Sequence, residues 1–222
     1  GYTATINYRT GTGVFLTVPM FDDGAHGDEY AGDGIFGGTI PAHATNLTVV
    51  EFYISVTDAA SNVREFPKAG LATQLAITSP VRPAGYALPR AVYQVNNSYV
   101  NPATLAPGAL QIGYIIMTAT EKAELDAIFT TSSLYGPNSR MAGTFISVDG
   151  TGVEVFYDVG MRNRGHGSRS GPPNNFDIAF SNVGFNDQSN LVLNKDSIAN
   201  QVAGAAIFSM AGLPAFNAQG FT

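Results

Sequence analysis

The chain has 222 residues and a net charge of −6, and 45% of its residues are hydrophobic while only 13% are charged. This composition predicts a globular protein with enough apolar side chains for one large domain or two ordinary ones, and it excludes a disordered chain. Cysteine is absent, which excludes disulfides, thiolate metal sites and thiol nucleophiles.

The acidic charge is concentrated in the first part of the chain. Residues 10–63 contain seven carboxylates and neither lysine nor arginine, a charge of −7, while the remaining residues hold ten acids and eleven bases, or +1. A phosphate backbone requires a basic face, so we expect no nucleic-acid partner. The chain also has no apolar run of the length that spans a bilayer, so we expect no membrane span.

Four strands are predicted before the first proline-rich stretch. Residues 3–9 alternate between apolar and polar side chains, 13–20 and 34–40 are β-prone runs, and 47–57 is the most β-prone run of the sequence. Because no helix is predicted among them, residues 1–67 are expected to form an antiparallel β-sandwich.

An acidic loop, FDDGAHGDEYAGDGIF at residues 21–36, separates the second and third of these strands. Glycines beside the aspartates allow the backbone to turn and to bring the carboxylates together. Hard oxygen ligands at this density favour Ca²⁺, and the predicted ligands are Asp22, Asp23, Asp28 and Asp33. The spacing does not fit an EF-hand, and the alternative is a solvated turn in which aspartate and glycine serve only turn formation.

This first part resembles the immunoglobulin-like modules of secreted bacterial proteins. The resemblance is carried by MFDDG at 20–24, DGIF at 33–36, IPA at 40–42 and VEFYISVTD at 50–58, and it covers about residues 3–67. Such modules usually have further strands before the first one found here. The resemblance therefore implies a sandwich that is incomplete at its amino terminus, completed by self-association or by strands from another chain, and located outside a bacterial cell or on its surface.

The rest of the chain is predicted to be a linker and an α+β region. Four prolines, from Pro67 to Pro89, predict a semi-extended linker over 68–90. The region 91–222 is predicted to contain six strands, at 91–95, 110–118, 141–148, 152–165, 174–181 and 190–194. It is also predicted to contain two helices. One lies near 120–131 and is capped by Thr118 or Thr120, and the other lies at 196–212, is capped by Asp196 and ends at Gly212.

A basic and glycine-rich stretch lies between two of these strands. Arg162, Arg164, Ser168 and Arg169 surround a glycine turn, and three guanidinium groups in that arrangement could bind an anion such as phosphate. The alternative is that the arginines pair with carboxylates of their own region, for instance Asp158.

The same stretch, R-x-R-G-x-x-S-R, resembles the signature of the CotH family of secreted and spore-coat proteins, which have an atypical kinase-like fold. The resemblance covers about residues 91–216 and implies a nucleotide-binding lobe. Two departures count against activity: no lysine lies between Lys122 and Lys195, and the metal-binding acids of a second lobe are missing. We therefore predict no catalytic residues. The leading function is an extracellular, calcium-binding structural or adhesive segment, such as a surface-fibre subunit, and the alternative is a fragment of a CotH-type enzyme.

Overall fold

The computed structural model describes residues 1–67, 90–106, 110–128, 139–165, 175–180, 184–195, 197–215 and 218. The predicted linker falls almost entirely outside these ranges. None of the helices in the described ranges is long and apolar enough to cross a membrane.

Two antiparallel five-stranded sheets and two helices account for most of the described structure. The strands of the first sheet are β1 Thr3–Thr10, β2 Leu16–Met20, β3 Val49–Thr57, β4 Val63–Phe66 and β5 Ala91–Gln94. Those of the second are β6 Ile112–Ile116, β7 Met141–Asp149, β8 Gly152–Arg164, β9 Asn175–Ala179 and β10 Asn190–Leu193, and the helices are α1 Ala119–Ala127 and α2 Ile198–Met210. The predicted mainly β architecture with few helices is confirmed, whereas the likeness of the second region to a kinase lobe stays a prediction.

The first sheet has the order β2-β1-β3-β4, and β5 also pairs with β3. Its apolar face follows from the alternation in β1, which buries Ala4, Ile6 and Tyr8 on one side. The segment after the acidic loop covers this face, because Gly38 lies against Ile6 and the His43 ring contacts Tyr8 with 6.1 Å between centroids.

Three elements of the first part differ from the sequence prediction. Residues 34–40 form no strand, and a single bridge between Phe21 and Gly37 replaces it. Close backbone packing explains this difference, since a side chain at Gly37 would lie 2.5 Å from the His26 carbonyl oxygen.

Strand β4 was not predicted. Strand β5, assigned from the sequence to the second region, instead extends the first sheet by pairing with β3 in the register Val50 to Tyr93. The division of the chain at residues 67 and 91 into separate domains stays a prediction.

The second sheet has the order β10-β9-β8-β7-β6 and contains the predicted strands. The predicted hairpin at Asp149-Gly150 is confirmed, with its two-residue loop at Gly150 and Thr151, because the Asp149 carboxylate accepts hydrogen bonds from Thr151 and Gly152. The core of this sheet is aromatic and aliphatic, and its buried members are Phe145, Val159, Met161, Ile178, Phe180 and Phe185.

The two helices differ in how their amino-terminal ends are capped. Thr118 caps α1 by accepting a hydrogen bond from the amide of Glu121, as predicted, and Leu125 packs against Met141 of β7. At the start of α2 the cap position is Ser197, at a φ of 55°, and its side chain makes no capping hydrogen bond to the described residues. The predicted cap Asp196 lies outside those residues. The predicted end of α2 at Gly212 is confirmed by its positive φ of 71°.

A β-bulge in β8 joins the two sheets. Gly143 pairs with Val159 and Phe145 with Phe156, so Tyr157 and Asp158 both lie opposite the single residue Thr144. Asp158 adopts a φ of 54°. The bulge directs the Tyr157 ring edge-to-face onto Phe52 of β3, with 5.3 Å between centroids. Beside it, the Thr144 hydroxyl donates a hydrogen bond of 2.6 Å to the carbonyl of Val92 in β5.

Because the bulge buries Asp158, we expect the free energy of unfolding to depend on the ionisation of this side chain and hence on pH. This side chain is buried, and one of its oxygens has no hydrogen-bond partner among the described residues. Burial raises the pKa of Asp158 from 3.8 to about 6. The folded protein then binds an extra proton between these values, so stability falls as the pH rises from about 4 to about 6. Asp158→Asn removes the charge, and asparagine tolerates the positive φ.

We expect Asp158→Asn to raise the free energy of unfolding at pH 8 by about 1–3 kcal/mol, and the gain to vanish near pH 4. Urea unfolding at the two pH values measures this difference. A variant that is less stable than the wild type at pH 8 would show that the carboxylate is compensated in the fold.

Candidate functional site

The acidic loop is closed on itself by its two ends. Phe21 and Gly37 exchange two backbone hydrogen bonds of 2.8 Å, and the Phe21 ring lies against His26 with 4.7 Å between centroids. The chain between them turns at glycines with positive φ, such as Gly24 at 73° and Gly34 at 88°. The predicted positive φ of the loop glycines is therefore confirmed.

Asp22 holds one side of the loop in place. Its carboxylate accepts hydrogen bonds from the amides of Gly32 and Asp33 through Oδ1 and from the amide of Gly34 through Oδ2. Residues 32–34 are thereby held beside the start of the loop, ten to twelve positions away in sequence. The consequence is that Asp33 lies near Asp22.

Asp28 is the buried member of the loop. Only 5% of its surface is exposed, its Oδ2 accepts a hydrogen bond of 2.8 Å from the amide of Gly24, and its Oδ1 is buried without a partner in the described parts of the chain. A buried carboxylate oxygen without a hydrogen bond or a counter-charge is costly. It therefore requires a compensating group.

Asp22, Asp28 and Asp33 form a cluster in which one carboxylate oxygen of each lies within 4.8 Å of the others. We call these three side chains the aspartate triad. Oxygens that share one Ca²⁺ at about 2.4 Å must lie within about 4.8 Å of one another, and the triad meets this necessary condition. The loop itself supplies neither a lysine nor an arginine, because neither occurs in residues 10–63.

Asp23, the fourth predicted ligand, lies outside the triad. Its carboxylate accepts a hydrogen bond of 2.9 Å from the amide of Ala25 and contacts the His26 ring nitrogen at 3.3 Å. The hydrogen bond with His26 holds the pKa of Asp23 below its usual range. Neighbouring carboxylates on one turn thus have separate partners, which the sequence spacing did not predict.

The predicted anion-binding residues are described only in part. Arg162 pairs with Asp177 at 3.0 Å rather than with Asp158, and Arg164 donates to the side chain of Asn194 at 2.8 Å. Ser168 and Arg169 lie outside the described residues. Burial alone would raise the pKa of Asp177, but hydrogen bonds from Arg162 and Arg140 outweigh it and hold that pKa below its ordinary value. The anion site stays a prediction.

Two clefts were not predicted from the sequence, since each joins distant parts of the chain. One, of about 730 Å³, lies between β10 and α2 and is lined by Arg164, carboxamide side chains and apolar residues such as Phe185. The other, of about 300 Å³, lies between the two sheets. No local sequence signal marks either of them.

Comparison with known families identifies the first part of the chain. Residues 2–60 match the family model described as the second Ig-like domain of conditioned medium factor. Residues 2–60 form an immunoglobulin-like module. This module spans about a quarter of the chain and contains the whole acidic loop. The searches of curated proteins and of solved structures gave no match.

The close packing of Gly37 on residues 26–28 predicts that its substitution will disturb the loop of the module. A Cβ atom at this position would lie 2.5 Å from the His26 carbonyl and 2.7 Å from the Asp28 amide, both of them backbone atoms. We expect Gly37→Ala to lower the free energy of unfolding by about 1–3 kcal/mol, measured by urea denaturation.

Gly152→Ala is the matched control, because a Cβ there meets no atom within 4 Å. Its effect should stay within about 0.5 kcal/mol. Equal stability of Gly37→Ala and the wild type would contradict the packing described for the loop.

Proposed function

We propose that this chain is an extracellular structural or adhesive segment whose immunoglobulin-like module binds one calcium ion through the aspartate triad. The match of residues 2–60 to an Ig-like domain supports a structural or adhesive role for the module. The calcium ion is the specific part of the proposal, and its function is rigidity rather than catalysis.

The observation that carries the proposal is the burial of Asp28. This carboxylate is 5% exposed, its Oδ1 has no partner among the residues that the structure describes, and it lies beside two further carboxylates, Asp22 and Asp33. Mutual repulsion opposes this arrangement when all three are ionised. A divalent cation removes the repulsion and supplies the partner that Asp28 lacks.

Calcium fits the donor atoms better than other common metals. The triad offers carboxylate oxygens and no imidazole, since the His26 ring is engaged by Asp23. Ca²⁺ accepts six to eight oxygen ligands in flexible geometry, and backbone carbonyls of a glycine-rich turn commonly complete its shell. Extracellular calcium-binding modules have Kd values of about 10⁻⁴–10⁻³ M, and we expect this range for the triad.

Self-association through a sheet edge is the second part of the proposal. Strand β2 is a poor acceptor of a further strand, because Pro19 has no amide hydrogen and Phe21 already bonds to Gly37. Strand β4 suits this role better. It pairs with β3 along one side in the described structure, and Val63 and Phe66 are 55% and 60% exposed.

The alternative function, a nucleotide-binding lobe of a CotH-type enzyme, has one observation in its favour. Arg164 lines the cleft of about 730 Å³ between β10 and α2. Against it, Arg162 is already paired with Asp177, which leaves fewer of its hydrogen-bond donors for a phosphate. We therefore rank this function second.

Calcium should stabilise the protein against heat. A ligand present at one hundred times its Kd stabilises a folded protein by about 2.7 kcal/mol, which corresponds to a Tm increase of roughly 5–10 °C for a chain of this size. We expect this increase on adding CaCl₂ to EDTA-treated protein, followed by differential scanning calorimetry. In Asp28→Asn and Asp33→Asn the increase should fall by more than half.

The matched control is Asp23→Asn, which removes the same charge from the same loop but lies outside the triad. It should keep the full calcium response. If calcium leaves the Tm of the wild type unchanged, or if Asp23→Asn loses the response as completely as Asp28→Asn, the proposed site is wrong.

Self-association should appear as a sedimentation coefficient that rises with protein concentration. We expect Val63→Lys to abolish the rise, because a lysine on an edge strand opposes the addition of another strand. Val14→Lys, at a residue that is 82% exposed and outside the strands, should have no effect. A wild-type protein that sediments as a monomer at every concentration would refute this part alone and leave the calcium site standing.

A further inference from the structure

The cleft between the two sheets has walls from both halves of the chain. The first sheet contributes apolar and aromatic side chains, the second sheet contributes Tyr157, and the segment 38–40 after the acidic loop forms the remaining wall. The volume of the cleft is about 300 Å³, and its lining is mostly apolar. Its shape therefore depends on how firmly residues 38–40 are held.

Backbone packing holds residues 38–40 to the acidic loop. Gly37 bonds to Phe21 through two hydrogen bonds of 2.8 Å and lies directly on the backbone of residues 26–28. Asp28 belongs to this contact, since its amide nitrogen lies 2.7 Å from the position of a Cβ at Gly37. Any displacement of Asp28 must therefore move the exit of the loop.

Gly38, the next residue, packs closely against the core of the first sheet. A Cβ built on Gly38 would lie 3.0 Å from the Met20 side chain, 3.1 Å from the Pro19 carbonyl and 3.2 Å from the Ile6 side chain. Ile6 itself lines the cleft together with Phe52. Contact is thus continuous from the triad, through Gly37 and Gly38, to the cleft.

Tyr157 connects the cleft to the second sheet. Its ring packs edge-to-face on Phe52 at 5.3 Å, and burial raises the pKa of its hydroxyl above the ordinary value. It has this position because the bulge in β8 adds one residue opposite Thr144. Because Tyr157 and residues 38–40 line the same cleft, a movement of residues 38–40 changes the space available to the Tyr157 side chain.

We infer that the cation held by Asp22, Asp28 and Asp33 also stiffens the junction between the two sheets, through residues 37–40 and the contact of Tyr157 with Phe52. This inference rests on the proposed calcium site but goes beyond it. A cation that served only the loop would leave β8 unaffected. A cation that also serves the junction would make the relative position of the two sheets depend on calcium.

Hydrogen–deuterium exchange of the full chain, with CaCl₂ or with EDTA, tests the inference. We expect calcium to slow exchange in peptides from 21–40 and also, by about fivefold, in peptides covering 152–160 of β8. In Tyr157→Ala the loop should keep its calcium protection while β8 loses it. Tyr157 is 39% exposed, so the truncation should leave the sheet folded.

Val153→Ala is the control on the same strand, at an exposed residue that does not line the cleft, and it should keep both effects. If calcium protects only residues 21–40, the inference is wrong and the calcium site stands. If protection of β8 persists in Tyr157→Ala, the proposed route is wrong. If calcium protects no peptide at all, the calcium site itself is wrong, and the inference with it.

Discussion

The burial of Asp28 is the constraint on which the acidic loop depends. Its carboxylate fixes Gly24 on one side, and its backbone supports Gly37 on the other, so that the entry and the exit of the loop are both positioned by this one residue. The segment that covers the apolar face of the first sheet begins immediately afterwards.

The second constraint is the bulge in β8. One additional residue between Phe156 and Val159 changes the direction of Tyr157 and gives Asp158 a positive φ. This irregularity has a structural consequence, because it brings a side chain of the second sheet onto the first. The same bulge buries the Asp158 carboxylate, which lowers the free energy of unfolding at neutral pH. The bulge therefore both brings the two sheets into contact and destabilises the fold at this residue.

Local patterns in the sequence predicted local structure well. Alternation predicted β1, β-propensity predicted β3, and a threonine before an acidic turn predicted the start of α1. The pairing of strands distant in sequence was not predictable in the same way. Strand β5, with the sequence AVYQ, has the residue pattern of any short strand. Nothing in it shows that its partner is β3, about 40 residues earlier. For the candidate site, the sequence indicated the loop and three of its carboxylates, but adjacent aspartates point to different partners, and spacing alone could not separate Asp23 from Asp22.

The buried carboxylates of this chain are compensated in different ways, and the comparison explains why a cation is proposed for only one of them. Glu51 pairs with an arginine at 2.7 Å, and Asp177 is held by two arginines. Asp158 has no such partner among the described residues, and burial raises its pKa to about 6, so a bound proton compensates it only below that pH. Asp28 lies in a segment without arginine or lysine and beside two more carboxylates, so neither an internal cation nor a hydrogen-bond donor for its Oδ1 is at hand among the described residues. An external cation is the compensation that we propose for Asp28, and it would act on all three members of the triad at once.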